Sequence, residues 1–135
     1  MKFYKFSRAI RPYVQTELQL ARKADSTDEP TVAFGHLERA HVLGQSSTIE
    51  HVRVHSHMAA WAVRQRSPRE FLGQLLRIIG AATKTAVGFL PYGNTGGSNV
   101  SPFKRMPVSP ELEELMQRAR SSEGQSGVVA RTKDL

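Results

Sequence analysis

The sequence predicts an all-α fold of antiparallel helical hairpins. Three observations carry this expectation. Apolar residues recur at three- and four-residue spacing through most of the chain, a Ser-Pro helix start occurs twice, and no segment alternates apolar and polar residues as a strand ladder would. The expected architecture is four main helices, a long Gly/Pro/Asn-rich loop over residues 88–110 and a short C-terminal helix. Residues 1–120 are expected to form one helical domain that includes the loop, followed by a flexible tail over 121–135.

In the first segment Phe6, Ile10, Tyr13, Val14, Leu18, Ala21 and Ala24 share helical spacing. Pro12 predicts a bend in this helix or its true start. Residues 25–30 (DSTDEP) form a linker of turn residues. Thr31 is the expected cap of a second helix to about Leu43, where Gly44 stops it. Residues 46–48 cap a third helix running to about Arg66. Ser67-Pro68-Arg69-Glu70 is the strongest local signal, with a cap, a proline at the first helical position and a glutamate placed for a capping box. The helix it starts runs to about Val87 and reads as buried. Gly73, Gly80 and Gly88 allow close helix approach, and Met58 and Trp61 are expected in the core. The loop is expected to pack Phe89, Tyr92 and Phe103 back onto the helices. Ser109-Pro110-Glu111 starts the last helix, which is expected to end near Arg120, with Glu111, Glu113 and Glu114 favoured by the helix dipole.

The bulk composition excludes several functions. The 135 residues contain no Cys, so there is no disulfide framework, thiolate nucleophile or Cys-held metal. The N-terminus lacks an apolar h-region, which predicts no signal peptide. The most apolar stretch, 71–90, holds Arg77, Lys84 and three Gly, so no transmembrane segment and a cytoplasmic location are expected. The 19 Lys and Arg against 12 Asp and Glu give a net charge of +7. That charge is scattered and rarely sits beside aromatics, which supports a nucleic-acid partner only weakly and leaves a protein partner plausible. No Ser–His–Asp order, dinucleotide fingerprint or H-E-x-x-H motif is present, so an enzyme is not the expected reading.

All five His lie between His36 and His57. At about 100° per residue, Val32, Ala33, Leu37, Ala40 and Leu43 define an apolar arc on the second helix, with His36 inside it and His41 at its edge. On the third helix Glu50, Arg53, His57 and Arg64 share a polar face. His51 and His55 point away from that face, beside Met58, Ala59 and Ala62, and His57 is expected to be solvated. Folding the two helices about residues 44–47 sets His41 opposite His51 and His36 opposite His55, at levels roughly 6–8 Å apart along the axis. Glu38 and His41 form an E-x-x-H pair, and Glu50 precedes His51. Imidazole with carboxylate suits a divalent transition metal such as zinc or nickel. The candidate ligands are His36, His41, His51, His55, Glu38 and Glu50. The alternative is a structural, hydrogen-bonded polar cluster. In the glycine loop, Asn94, Gly96, Gly97 and Ser98 form a candidate anion-binding nest, although the ending of a phosphate loop is missing. Its alternative is a purely structural loop.

Two resemblances add to this. Residues 33–45 (AFGHLERAHVLGQ) resemble the second helix of a tetratricopeptide repeat, and residues 58–82 resemble the turn and second helix of another. Phe34 and Phe71 are 37 apart, against a repeat period of about 34. More specifically, HLERAHVLGQ (36–45), HVRVH (51–55), LGQLLRIIGAATKTAVG (72–88) and PYGNTGGSNVSPF (91–103) together resemble the bacterial domain-of-unknown-function family 3703, over about residues 3–116. That resemblance implies a heavy-metal-resistance context and no particular activity. The expected function is a metal-stress accessory protein that binds a divalent transition metal through its histidine cluster. The alternative is a non-catalytic, tetratricopeptide-like interaction module in which that cluster is structural.

Overall fold

The computed structural model describes residues 2–87, 93–101 and 104–131. Five helices follow in order: α1 (Lys2–Ser26), α2 (Pro30–Gly44), α3 (Thr48–Arg64), α4 (Pro68–Val87) and α5 (Pro110–Arg131). The described residues contain no strand. Three-residue connectors join α1 to α2, α2 to α3 and α3 to α4, and connectors this short set neighbouring helices antiparallel. α1 pairs with α2, α3 pairs with α4, and α2 packs on α3 to join the two hairpins. α5 packs against α1 and α2. None of the helices, over the described residues, is long and apolar enough to cross a membrane.

The α1–α2 and α3–α4 hairpins close with the same turn. Asp28 and Arg66 both adopt the left-handed conformation, at φ 58° and 53°. The next amide then donates back five residues, Glu29 to the Ala24 carbonyl and Ser67 to the Ala62 carbonyl, both at 2.9 Å. This left-handed stop satisfies orphan carbonyls at the helix end. A proline begins the following helix in each case, because its fixed φ suits the first turn and its missing N–H is not needed there. α2 therefore starts at Pro30, with Glu29 as its N-cap residue, and the expected cap Thr31 lies inside the first turn. α1 starts at Lys2 and carries Pro12 in its interior, so Pro12 does not mark its start. Ser47 caps α3 by accepting the Glu50 amide at 3.3 Å. α5 continues to Arg131, past the expected end near Arg120. The Ser121 and Ser122 hydroxyls donate to the Gln117 and Ala119 carbonyls at 3.0 and 2.8 Å, so both serines are accommodated within the helix.

Ile10, Val14, Leu43, Val54 and Met58 are fully buried and form the centre of the core. Leu112, Met116 and Ala119 close it from α5. Trp61 is partly buried. Its indole stands 4.5 Å from the Phe34 ring, and its N–H donates to the Pro30 carbonyl at 3.2 Å. Val32, expected on the buried arc of α2, is half exposed.

α4 departs most from expectation. It is not a buried helix: Phe71, Leu72, Leu75, Leu76 and Ile79 are 39–63% exposed, while Glu70 and Gln74 are buried. Apolar content made the segment read as core, but content alone does not say which face turns inward. Among the glycines, Gly73 admits a loop rather than a helix, since a Cβ there would lie 2.8 Å from the Ser98 Cβ. Gly88, Phe89, Tyr92 and Phe103 lie outside the described residues.

Candidate metal centre

Three of the six candidate ligands converge. His41 sits in the last turn of α2, and His51 and His55 lie one turn apart on α3. The His41 Nε2 is 2.9 Å from His51 Nε2 and 3.2 Å from His55 Nε2. Ring centroids are 4.7, 4.7 and 4.8 Å apart, a nearly equilateral set. All three residues are buried, at 3%, 8% and 2% exposure. The tight α2–α3 turn makes this meeting possible, because it holds the end of α2 against the start of α3.

The outer ring nitrogens decide the proton positions. His41 Nδ1 lies 2.6 Å from the Asn94 backbone oxygen, which can only accept, so Nδ1 carries the hydrogen. His55 Nδ1 lies 2.6 Å from the Gln74 Oε1. The Gln74 amide nitrogen donates to Glu70 Oε1 at 2.5 Å and to the Gly96 carbonyl at 3.0 Å, which fixes the amide so that its oxygen faces His55. His55 Nδ1 therefore donates as well. With the Nδ1 hydrogens so placed, each ring turns its Nε2 inward, and the two Nε2 atoms stand 3.2 Å apart. Burial, followed by the charges of His51 and His55, holds His41 well below its ordinary pKa. The Asn94 hydrogen bond pulls the other way, and Arg77 adds to the depression.

The glycine loop forms the outer wall of this centre. Asn94 is 2% exposed, and its amide nitrogen donates to the Ser101 and Lys104 carbonyls at 2.8 Å each. Its Oδ1 accepts the Gly96 amide at 2.9 Å. Gly96 has φ +81° and lies flat on His41: a Cβ there would stand 2.7 Å from the ring Cδ2 and Cγ. Ser98 donates its amide to both Glu70 oxygens, at 3.1 and 3.2 Å, and its hydroxyl also meets that carboxylate. Thus Asn94 and Gly96 build the histidine wall, and the anion held by Ser98 is the protein's own Glu70. Gly97 packs near Phe34. Glu70 accepts from the loop and from Gln74, where a capping box would have turned it back toward Ser67.

The other candidates lie elsewhere. His36 Nδ1 is 2.8 Å from Glu17 Oε2, and Arg39 bridges Glu17 and Glu111 at 3.0 Å each, tying α1, α2 and α5 together. Glu50 is fully buried against Arg11 and Arg53, at 2.8 and 3.1 Å, so its carboxylate serves the core of the hairpin. Glu38 stands outside the group of converging ligand atoms, and burial and Glu70 raise its pKa. His57 is half-buried, where a solvated side chain was expected. Gln74 went unnoticed in the sequence. Its signal is a polar residue one turn after Glu70 inside the run FLGQLLRII.

The donor set fits a metal. Zinc–nitrogen bonds of about 2.0–2.1 Å place tetrahedral ligand atoms roughly 3.3–3.4 Å apart. The two spacings from His41, 2.9 and 3.2 Å, are near that value, and all three ligand atoms lie within 4.8 Å of one another. Ring N–H groups held by a carbonyl and an amide oxygen are the outer partners that metal-bound histidines ordinarily have.

Fold and site together define a small all-helical protein built around a buried three-imidazole cluster. The family model described as a protein of unknown function (DUF3703) matches residues 8–116, and the chain belongs to that family. Neither a curated protein nor a solved structure matches the chain.

Proposed function

We propose that this protein binds one divalent transition metal, such as zinc or nickel, through the Nε2 atoms of His41, His51 and His55. The observation that supports this reading best is the convergence of three buried imidazoles whose ligand atoms lie within 4.8 Å of one another, with the His41 Nε2 2.9 Å from that of His51 and 3.2 Å from that of His55. A divalent cation would bond to the converging ring nitrogens, and burial disfavours a proton in its place at His41. Three protein ligands leave at least one coordination position for water or an exchangeable ligand. That suits reversible uptake, and with it an accessory role in metal stress, more than a permanent structural ion.

Titration calorimetry with zinc and nickel on metal-free protein tests this. Wild type is expected to give saturable 1:1 heat, and His51→Ala, at the least buried of the three rings, at least ~10–100-fold weaker binding. No heat above buffer in wild type overturns the proposal.

A second reading, the helical interaction module, has its own supporting observation. The outer face of α4 exposes Phe71, Leu72, Leu75, Leu76 and Ile79, with Arg66 and Arg69 exposed near its start. An apolar patch of this kind marks an interaction surface, and its basic edge suits an acidic amphipathic helix. The repeated hairpin turn agrees with a repeat-like origin. On this reading Leu76→Lys weakens partner capture with or without chelator, whereas metal binding is unchanged.

A further inference from the structure

A second site lies apart from the histidine centre. The end of α1, the start of α2 and the end of α3 enclose an open-sided cavity of about 470 Å³. Its volume falls within the range of small-molecule pockets. The floor is apolar, formed by Leu18, Ala21, Ala33, Leu37 and the Trp61 indole. Two guanidinium groups stand on its rim, Arg22 and Arg64, with the His57 ring beside them, and the one carboxylate lining it, Asp25, is engaged by Arg64 at 2.5 Å. Burial, followed by the charges of Arg53, Arg22 and Arg64, holds His57 below its ordinary pKa, so the positive charge of the rim rests on the guanidinium groups.

An apolar trough with a positive rim is complementary to a molecule with an apolar body and one negative end. Guanidinium groups bind carboxylates through paired, charge-assisted hydrogen bonds. We propose that this groove binds a small organic carboxylate, its anionic end at Arg22 and Arg64 and its apolar body along Leu18 and Leu37 to Trp61. None of these residues belongs to the histidine centre, so the site operates independently of any metal.

Trp61 is the chain's single Trp and lines the groove, which makes it an internal reporter. The full-length protein, with chelator present, is titrated with octanoate and with octanamide, its uncharged counterpart, by Trp fluorescence and by calorimetry. Octanoate is expected to give a saturable Trp61 response, with octanamide at least tenfold weaker. Arg22 is exposed, so Arg22→Gln keeps the fold. That variant is expected to weaken octanoate about tenfold and leave octanamide unchanged. Absence of a saturable response to octanoate overturns the proposal. Equal binding of the two ligands, or an unchanged affinity in Arg22→Gln, overturns it too, because either result reduces the groove to an unselective apolar surface.

Discussion

Mild acid should destabilise the metal-free protein through His41, before its carboxylates titrate. In the folded chain this ring is 3% exposed, donates to the Asn94 carbonyl at 2.6 Å and faces two other imidazoles. Burial and the charges of His51 and His55 hold its pKa well below 6.5. In the unfolded chain the same ring titrates near ~6.5. Below that pH the unfolded state therefore binds one more proton than the folded state, and stability falls as pH falls. The slope approaches about 1.4 kcal/mol per pH unit, which integrates to roughly 1.5–2 kcal/mol between pH ~6.5 and ~5.0. The assay is urea unfolding at half-unit pH steps, with chelator, on wild type and on His41→Gln. The variant is less stable at every pH, but its curve should lack this slope, so the gap between the two proteins narrows by that amount on acidification. Parallel curves across the window would refute the reasoning, because His41 would then be titrating alike in both states.

Five further outcomes follow from the same structure. Gly96→Ala places a methyl 2.7 Å from His41 at φ +81°; about 1–2 kcal/mol of backbone strain and about 1–3 kcal/mol of overpacking should appear in urea unfolding. Gly35→Ala, inside α2 with nothing within 4 Å of the new methyl, should instead stabilise by about 0.5–1 kcal/mol. Gln74→Leu removes the acceptor of His55 Nδ1 and should weaken zinc binding about 10–100-fold by calorimetry, with an unchanged affinity counting against any role for Gln74 in orienting the ring. Met58→Ala, at 0% exposure, should cost about 2–5 kcal/mol in thermal or urea unfolding. Leu76→Ser, at 63% exposure, should stay within about 0.5 kcal/mol.

The helices were legible in the sequence because their signals are local. Pro68 and Pro110 start α4 and α5 as their Ser-Pro pairs predict, and the 3.6-residue spacing of Phe6, Ile10, Val14 and Leu18 marks the buried stripe of α1. The histidine hairpin was legible in part. A tight turn after Gly44 dictates that the end of α2 faces the start of α3, which brings His41 to His51. The same register set His36 against His55, but His36 turns to Glu17 on α1 and His55 completes the set with His41. Which of two neighbouring arcs faces α3 is a tertiary choice that periodicity does not encode. The outer partners were illegible for the same reason. Asn94 and Gln74 are separated from His41 and His55 by 53 and 19 positions, and only the packing of the loop and of α4 brings them to those rings.

The inverted character of α4 bears on why the centre is polar at all. Glu70 and Gln74 occupy the inner face of a helix rich in Leu and Ile, whose large apolar side chains are left on the outside. Taken for stability alone, this is the wrong way round: burying a carboxylate, an amide and three imidazoles carries a desolvation cost that their hydrogen bonds only offset. Turning the leucines inward would recover about 1.5–3 kcal/mol for each one fully buried. What the polar face supplies instead is positional. Glu70 is held by Ser98, Gln74 by Glu70 and Gly96, His55 by Gln74, and His41 by Asn94. Every link ends in the orientation of an imidazole, and at His41 and His55 it turns Nε2 inward. A chain of hydrogen bonds that holds ring nitrogens toward one point supplies the fixed orientation that the proposed metal site requires.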